Sequence, residues 1–318
     1  MTDITLQNFE SELLQASMQQ PVLLDIWAPW CGPCRTLGPM LDKLEVAYAG
    51  RFKLAKLNSD DQPEIATQLS QAFGVRSIPF CVMFVGGQPV DGFVGALPEA
   101  QIREFLDRHV PSGEELEAEE DLAEAQALME EGDNAAALEK LHAAVQADPS
   151  NETARFDLVR ALLEADLLDD AKAAFEPVAH RAADTLTPHP RFAALGTWIA
   201  AAERASQGMD PAGLQAAIAA NKRDFDARFT LAQGLLAGRD FTGAMDELLE
   251  IIMRDKTWND QLARKTYVAI LELMTKPAAA HAAAADPKGS LQLAGPSAVA
   301  SADPLLDQYR RKLSMALF

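Results

Sequence analysis

Cys31 and Cys34 stand three apart in the run W-C-G-P-C, with Gly32 and Pro33 between them. Sulfur at this spacing supports more than one chemistry. A thiolate can attack a disulfide, which a thiol cannot do. Alternatively, two sulfurs can form half of a zinc site, which needs four ligands. The chain has only one further cysteine, Cys81, and five scattered histidines: His109, His142, His180, His189 and His281. No second closely spaced pair completes a zinc set, so thiol exchange is favoured. A purely structural disulfide is the other alternative, but closing so short a loop removes little chain entropy.

The flanking residues place the pair. Residues 21–27, P-V-L-L-D-I-W, read as a buried central strand carrying one charge, Asp25. Residues 31–48 have helical spacing, with Leu37, Leu41, Leu44 and Ala47 on one side, and Pro39 is expected to kink that helix. Cys31 therefore sits where a strand hands over to a helix. There the unpaired N–H groups and the helix dipole favour negative charge, so its thiol is expected to ionise closer to neutrality. Cys34 is near enough to attack a mixed disulfide on Cys31 and release the substrate. Pro33 falls just inside the helix, where its missing donor costs little. Gly32 lets another chain approach closely. Asp25 is either a hydrogen-bonded structural group or part of a site, and its place within two residues of a tryptophan beside the cysteine turn favours the site.

The elements that must position these residues form a short pattern. Residues 52–57 alternate as a strand, 62–73 read as a helix, and 80–85, F-C-V-M-F-V, as a second apolar strand. Gly86-Gly87 makes a hairpin turn into 88–94, and 98–109 form an amphipathic helix. With a short N-terminal strand and helix, this describes an α/β domain over 1–110: a mixed sheet flanked by helices. Residues 111–124 open with Pro-Ser-Gly, turn acidic and lead as a junction into a helix.

Strands then disappear. Ala125, Leu128, Ala137, Leu141 and Ala144 have counterparts 34 residues later in Val159, Leu162, Ala171, Phe175 and Val178. Ala232, Leu235, Ala244, Leu248 and Ile251 keep the same relative spacing, and 191–220 read as a degenerate helix pair. A 34-residue helix–turn–helix unit with small residues at the helix contact is the tetratricopeptide pattern, here assigned to 118–275 in an all-α repeat domain. The aromatic residues Phe192, Trp198, Phe225, Phe229, Phe241 and Trp258 are expected in its core rather than on a client surface. Residues 276–302 read as a flexible Ala/Pro-rich insertion, and 303–318 as a final amphipathic helix.

Net charge is −19 over 318 residues. Residues 1–110 carry 8 basic against 13 acidic side chains, and 111–318 carry 20 against 34. This balance repels nucleic acid and anionic membrane and suits protein partners. The start, M-T-D-I-T-L, has no basic residue or apolar run, no stretch of about 18 residues is apolar enough to span a bilayer, and three cysteines make no disulfide scaffold. A reducing cytoplasm is the expected compartment.

W-C-G-P-C after V-L-L-D-I-W, Pro39, K-L-A-K-L-N at 53–58, S-I-P at 77–79, Gly86-Gly87 and F-V-G-A-L at 93–97 together resemble thioredoxin over residues 3–109. The resemblance implies a redox-active Cys31–Cys34 disulfide without a separate cofactor, Cys31 attacking and Cys34 resolving. Asp25 would have a raised pKa and exchange a proton with Cys34, with Lys56 as its ion partner. Pro79 would be a cis-proline facing the cysteines. Trp30, Gly32, Pro33, Ile78, Pro79 and Gly95 would form the surface that grips an extended substrate. Arg35 and Cys81 depart from the commonest pattern, and Cys81 is expected to be an inert buried thiol. The Gly-Pro insert resembles that of the reducing members, which implies a low potential near about −270 mV.

The whole arrangement, with G-Q-P-V-D-G-F-V-G at 87–95, W-N-D-Q-L-A-R-K at 258–265 and D-P-L-L-D-Q-Y-R-R-K-L at 303–313, resembles the bacterial chaperedoxin (YbbN-type) family. That implies a co-chaperone that holds unfolded or oxidised client proteins, protects their cysteines and passes them to the ring chaperonin. A thioredoxin reductase or thiol system would recharge it. The chaperonin contact would lie on the C-terminal helix, at Tyr309, Arg310, Arg311 and Leu313. The alternative is a dedicated disulfide reductase whose repeats recognise one partner.

Overall fold

Val22–Trp27 (β2) is a mostly apolar run that both faces of a sheet can cover; five of its six side chains are buried, the single charge Asp25 among them. In the computed structural model, which describes residues 2–184, 189–275 and 303–317, it is the middle of a five-stranded sheet. The others are Thr2–Asp3 (β1), Lys53–Asn58 (β3), Phe80–Val85 (β4) and Gln88–Val94 (β5), in the order β1-β3-β2-β4-β5. β3 runs parallel to β1 and β2; β4 pairs antiparallel with β2 and β5. Gly86 and Gly87, both at positive φ, make the β4–β5 turn.

Side chains alternate across the sheet and build two cores. One face, with Leu23, Leu54 and Met83, is covered by Cys34–Ala47 (α1) through Leu37, Leu41 and Leu44, and by Glu99–Asp107 (α3) through Ile102, Phe105 and Leu106. The other face, with Leu24, Ile26 and Val82, is covered by Pro63–Phe73 (α2) and the N-terminal helical segment Phe9–Gln15 through Ile65, Leu69 and Leu13. This is the thioredoxin fold. Pro39 lies within α1.

The chain divides into two compact units, residues 1–116 and 117–318. Residues 113–131 form one helix, Gly113–Glu131 (α4). The second unit is all helical among its described residues: Asn134–Ala147 (α5), Glu152–Glu164 (α6), Leu168–Phe175 (α7), Ala179–Ala182 (α8), Pro190–Ser206 (α9), Pro211–Ala220 (α10), Phe225–Ala237 (α11), Phe241–Arg254 (α12), Trp258–Met274 (α13) and Pro304–Leu317 (α14). Its turns are made by acidic caps. Gly132 at φ 86° ends α4, and the Asp133 carboxylate accepts from Ala136 N at 3.1 Å to start α5. Asp210, Asp224 and Asp240 cap α10, α11 and α12 the same way.

The positions that recur in sequence are the ones that pack: Ala137, Leu141, Ala171, Ala244 and Leu248 are buried. Phe192 and Trp198 are also enclosed, while Phe225, Phe229, Phe241 and Trp258 are partly buried against the same core. The expected insertion at 276–302 lies outside the described residues.

Candidate active site

Cys31 and Cys34 form a disulfide (S–S 2.04 Å) at the start of α1. The turn is set by Pro33, whose carbonyl accepts from Leu37 N at 3.1 Å, and by Gly32, whose carbonyl accepts from Arg35 N at 3.2 Å. The first free amide of the helix points at sulfur: Cys34 N donates to Cys31 Sγ at 3.2 Å. That donor is a fixed stabiliser for negative charge on Cys31 once the pair is reduced. Both cysteines are nearly enclosed, packed with Ala28, Trp27 and Ile78.

Gly32 and Pro33 are exposed, and a Cβ at Gly32 would meet nothing within 4 Å. A chain can therefore reach the disulfide from this side. Trp30 is 68 % exposed, an unusual placement for so large an apolar side chain, and is fixed by Nε1 donating to Asp60 at 3.1 Å. The Ile78–Pro79 peptide bond is cis. Pro79 O accepts from Gly95 N at 2.8 Å, and Gly95 adopts φ 89°, which favours glycine. Trp30 and Ile78 also border an open cleft of about 600 Å³ lined by Ser59, Thr67, Gln71 and Arg76.

Asp25 lies on the sheet face beneath α1 and is 2 % exposed. Its cross-strand neighbours are Lys56 on β3 and Cys81 on β4. Burial pushes its carboxyl up to about 6, opposed by the Lys56 charge and by a hydrogen bond from Cys81. Lys56 is not its ion-paired partner, contrary to the sequence expectation. The ammonium reaches Asp42 Oδ1 on α1 at 2.7 Å and acts on Asp25 only through its field. Cys81 is fully buried, as expected, but it is not without a partner, since its Sγ–H donates to Asp25 Oδ1 at 3.7 Å. Sequence reasoning missed Asp42, because its contact joins it to Lys56 on a different element.

The C-terminal helix needs a correction. Tyr309 and Leu313, expected on a partner surface, are buried. Tyr309 O accepts from Tyr267 Oη at 2.8 Å, Tyr309 Oη donates to Asp246 at 3.2 Å, and Lys312 Nζ reaches Asp246 at 2.9 Å. These contacts turn the apolar stripe of α14 onto α12 and α13. Arg310 and Arg311 remain exposed, as does Met315 at 80 %. No group of three or more His, Cys, Asp or Glu arranged to hold a metal occurs among the described residues, and none of their helices is long and apolar enough to cross a membrane.

Residues 1–108 match the thioredoxin family model, and 128–199 and 204–286 match models of the tetratricopeptide repeat. Among similar proteins are thioredoxin 1 of Nostoc sp., 42 % identical over 107 residues, and thioredoxin of Haemophilus influenzae, 44 % identical over 103. The aligned parts are 34 % of this chain and 94 % of the first, and 32 % of this chain and 91 % of the second. The chloroplastic thioredoxin M-type of Pisum sativum is 44 % identical over 92 residues, which is 29 % of this chain and 51 % of that protein.

Proposed function

The chain belongs to the thioredoxin family, and on that premise we propose that it reduces protein disulfides through Cys31 and Cys34 while its repeats hold the polypeptides that carry them. The single observation that carries the redox half is the disulfide at the head of α1, with Cys34 N donating onto Cys31 Sγ beside an open approach at Gly32.

The chemistry is two exchanges. The Cys31 thiolate attacks one sulfur of a client disulfide; that S–S bond breaks and a client thiolate leaves. Asp25 takes the proton of Cys34, whose thiolate then attacks Cys31 sulfur. The mixed disulfide breaks, the second client thiolate leaves, and Cys31–Cys34 closes. Two electrons have passed to the client, and no cofactor takes part. Trp30, Ile78, cis-Pro79 and Gly95 hold the extended client segment during the first attack. A thioredoxin reductase or thiol system returns the pair to the dithiol.

The holding half is supported by the helical repeats and by an apolar groove of about 650 Å³ in the second unit, bordered by Phe175, Ala193, Gly196, Phe229, Val268 and Ala269. Small residues there leave backbone-level space for an extended apolar segment. One chain carries both functions, so a held client meets Cys31 at high effective concentration. Delivery to the ring chaperonin is assigned to the outer face of α14, now through Arg310, Arg311 and Met315 rather than the buried Tyr309 and Leu313. The second reading, a reductase dedicated to one partner, rests on the same repeats acting as a specific binding module.

The two readings separate by an aggregation assay. The full chain carrying Cys31→Ser and Cys34→Ser is added to several unrelated proteins during heating. Slower aggregation of most of them is the expected result. Protection of none would leave only the dedicated reductase.

A further inference from the structure

Cys81 has no part in the exchange chemistry, yet it is the residue that touches Asp25. Strand register puts Asp25 between Lys56 and Cys81 on its two neighbouring strands. Lys56 is tied to Asp42. Among the described residues, Cys81 is the one side chain that donates a hydrogen bond to Asp25. The groups facing this carboxylate are therefore Lys56 from β3, Asp42 from α1 and Cys81 from β4. Asp25 and Cys81 are both buried, 2 % and 0 % exposed, so little solvent competes for the contact.

A reactive role for Cys81 does not follow. Burial and the adjacent carboxylate hold its thiol well above the ordinary range, and an un-ionised thiol is a poor nucleophile. What the thiol can do is donate. A hydrogen bond to a carboxylate favours its ionised form, and Asp25 must be ionised to accept the Cys34 proton.

We propose that Cys81 is a positioning residue for Asp25: its S–H holds the carboxylate through Oδ1 and favours the ionised form in the buried site. The inference rests on Asp25 being the proton acceptor of the exchange. Burial alone drives the carboxyl upward, and the thiol donor restrains that rise, leaving the group able to take and return a proton near neutrality. An aliphatic side chain at position 81 would fill similar space and provide no donor.

The test uses the full chain with Cys81→Ala and Cys81→Ser. The Asp25 carboxyl is titrated by carbon NMR, assigned by its loss in Asp25→Asn, and the pH dependence of kcat/KM for reduction of a protein disulfide is recorded beside it. Cys81→Ala is expected to raise both the Asp25 midpoint and the acid limb of the rate profile by about half to one pH unit, the value of one modest hydrogen bond. Cys81→Ser, which keeps a donor, should recover most of that shift. If only packing mattered, Ser would do no better than Ala. An unmoved midpoint in Cys81→Ala would overturn the contact's role. A midpoint that moves while the rate profile stays fixed would overturn Asp25 as proton acceptor, and the positioning role with it.

Discussion

Lys56 stands opposite Asp25 in the parallel pairing of β2 and β3, yet its ammonium lies 2.7 Å from Asp42 on α1. The lysine is thereby shared: it neutralises one carboxylate directly and lowers the other from a distance. Replacing Asp42 with Asn removes a negative charge that raises Asp25 and frees Lys56 to approach it. The Asp25 midpoint should fall, and the acid limb of disulfide reduction should move to lower pH. The pH profile of kcat/KM measures this; a shift to higher pH would contradict it.

Asp25 weakens the fold where it is ionised. Its carboxyl titrates near 6 when folded against an ordinary value of 3.8. The native state therefore binds this proton more tightly than the unfolded chain. The stability linked to it is complete below about pH 4 and is lost as pH rises through 6. Asp25→Asn should be more stable than wild type by up to roughly 3 kcal/mol above pH 6, with the gain shrinking towards pH 4. Urea unfolding at pH 8 and pH 4 measures the difference. The same variant should reduce disulfides more slowly at neutral pH.

Trp30 buries little of itself, so Trp30→Ala should change stability by no more than about 0.5 kcal/mol. Its loss removes the exposed apolar face beside Cys31. Reduction of a protein disulfide should slow several-fold through KM, while a small dithiol still recharges the enzyme at the usual rate. Turnover kinetics with a protein disulfide, set beside the rate at which a small dithiol reduces the Cys31–Cys34 pair, separate the two effects.

On α14, inner and outer faces should respond differently. Tyr267→Phe deletes the hydrogen bond to Tyr309 O and should cost about 1 kcal/mol in thermal or urea unfolding of the second unit. Arg310→Glu with Arg311→Glu replaces exposed side chains and loses only the Arg310 contacts to Asp307 and Thr275, so that unfolding should change by no more than about 0.5 kcal/mol. Under the proposed function, the double variant loses chaperonin co-purification and Tyr267→Phe does so only in proportion to its instability.

Much of this was legible in the residues. The strand at 80–85, the hairpin after it and the strand-to-helix step at Cys31 follow from apolar runs, glycine pairs and helical spacing, because those patterns are local. The cis bond before Pro79 was implied only by the resemblance to thioredoxin, since the residues themselves carry no mark that distinguishes the two isomers. The partner of Lys56 was misread because strand register fixes where a Cα sits, not which way a long side chain reaches. Tyr309 and Leu313 lie on an apolar stripe that was visible, but the sequence did not say that α12 and α13 would cover it. The two compact units divide at 116–117, within the helix that runs continuously from Gly113 to Glu131.

The central claim is that Cys31 attacks client disulfides and Cys34 resolves the product. Expressing the full chain with Cys34→Ser, and separately with Cys31→Ser, then counting client proteins recovered in reducible covalent complexes, tests it most directly. Complexes on the Cys34→Ser chain, released by a small dithiol and scarce on the Cys31→Ser chain, are the expected result. Equal recovery from both chains, or from neither, would contradict it.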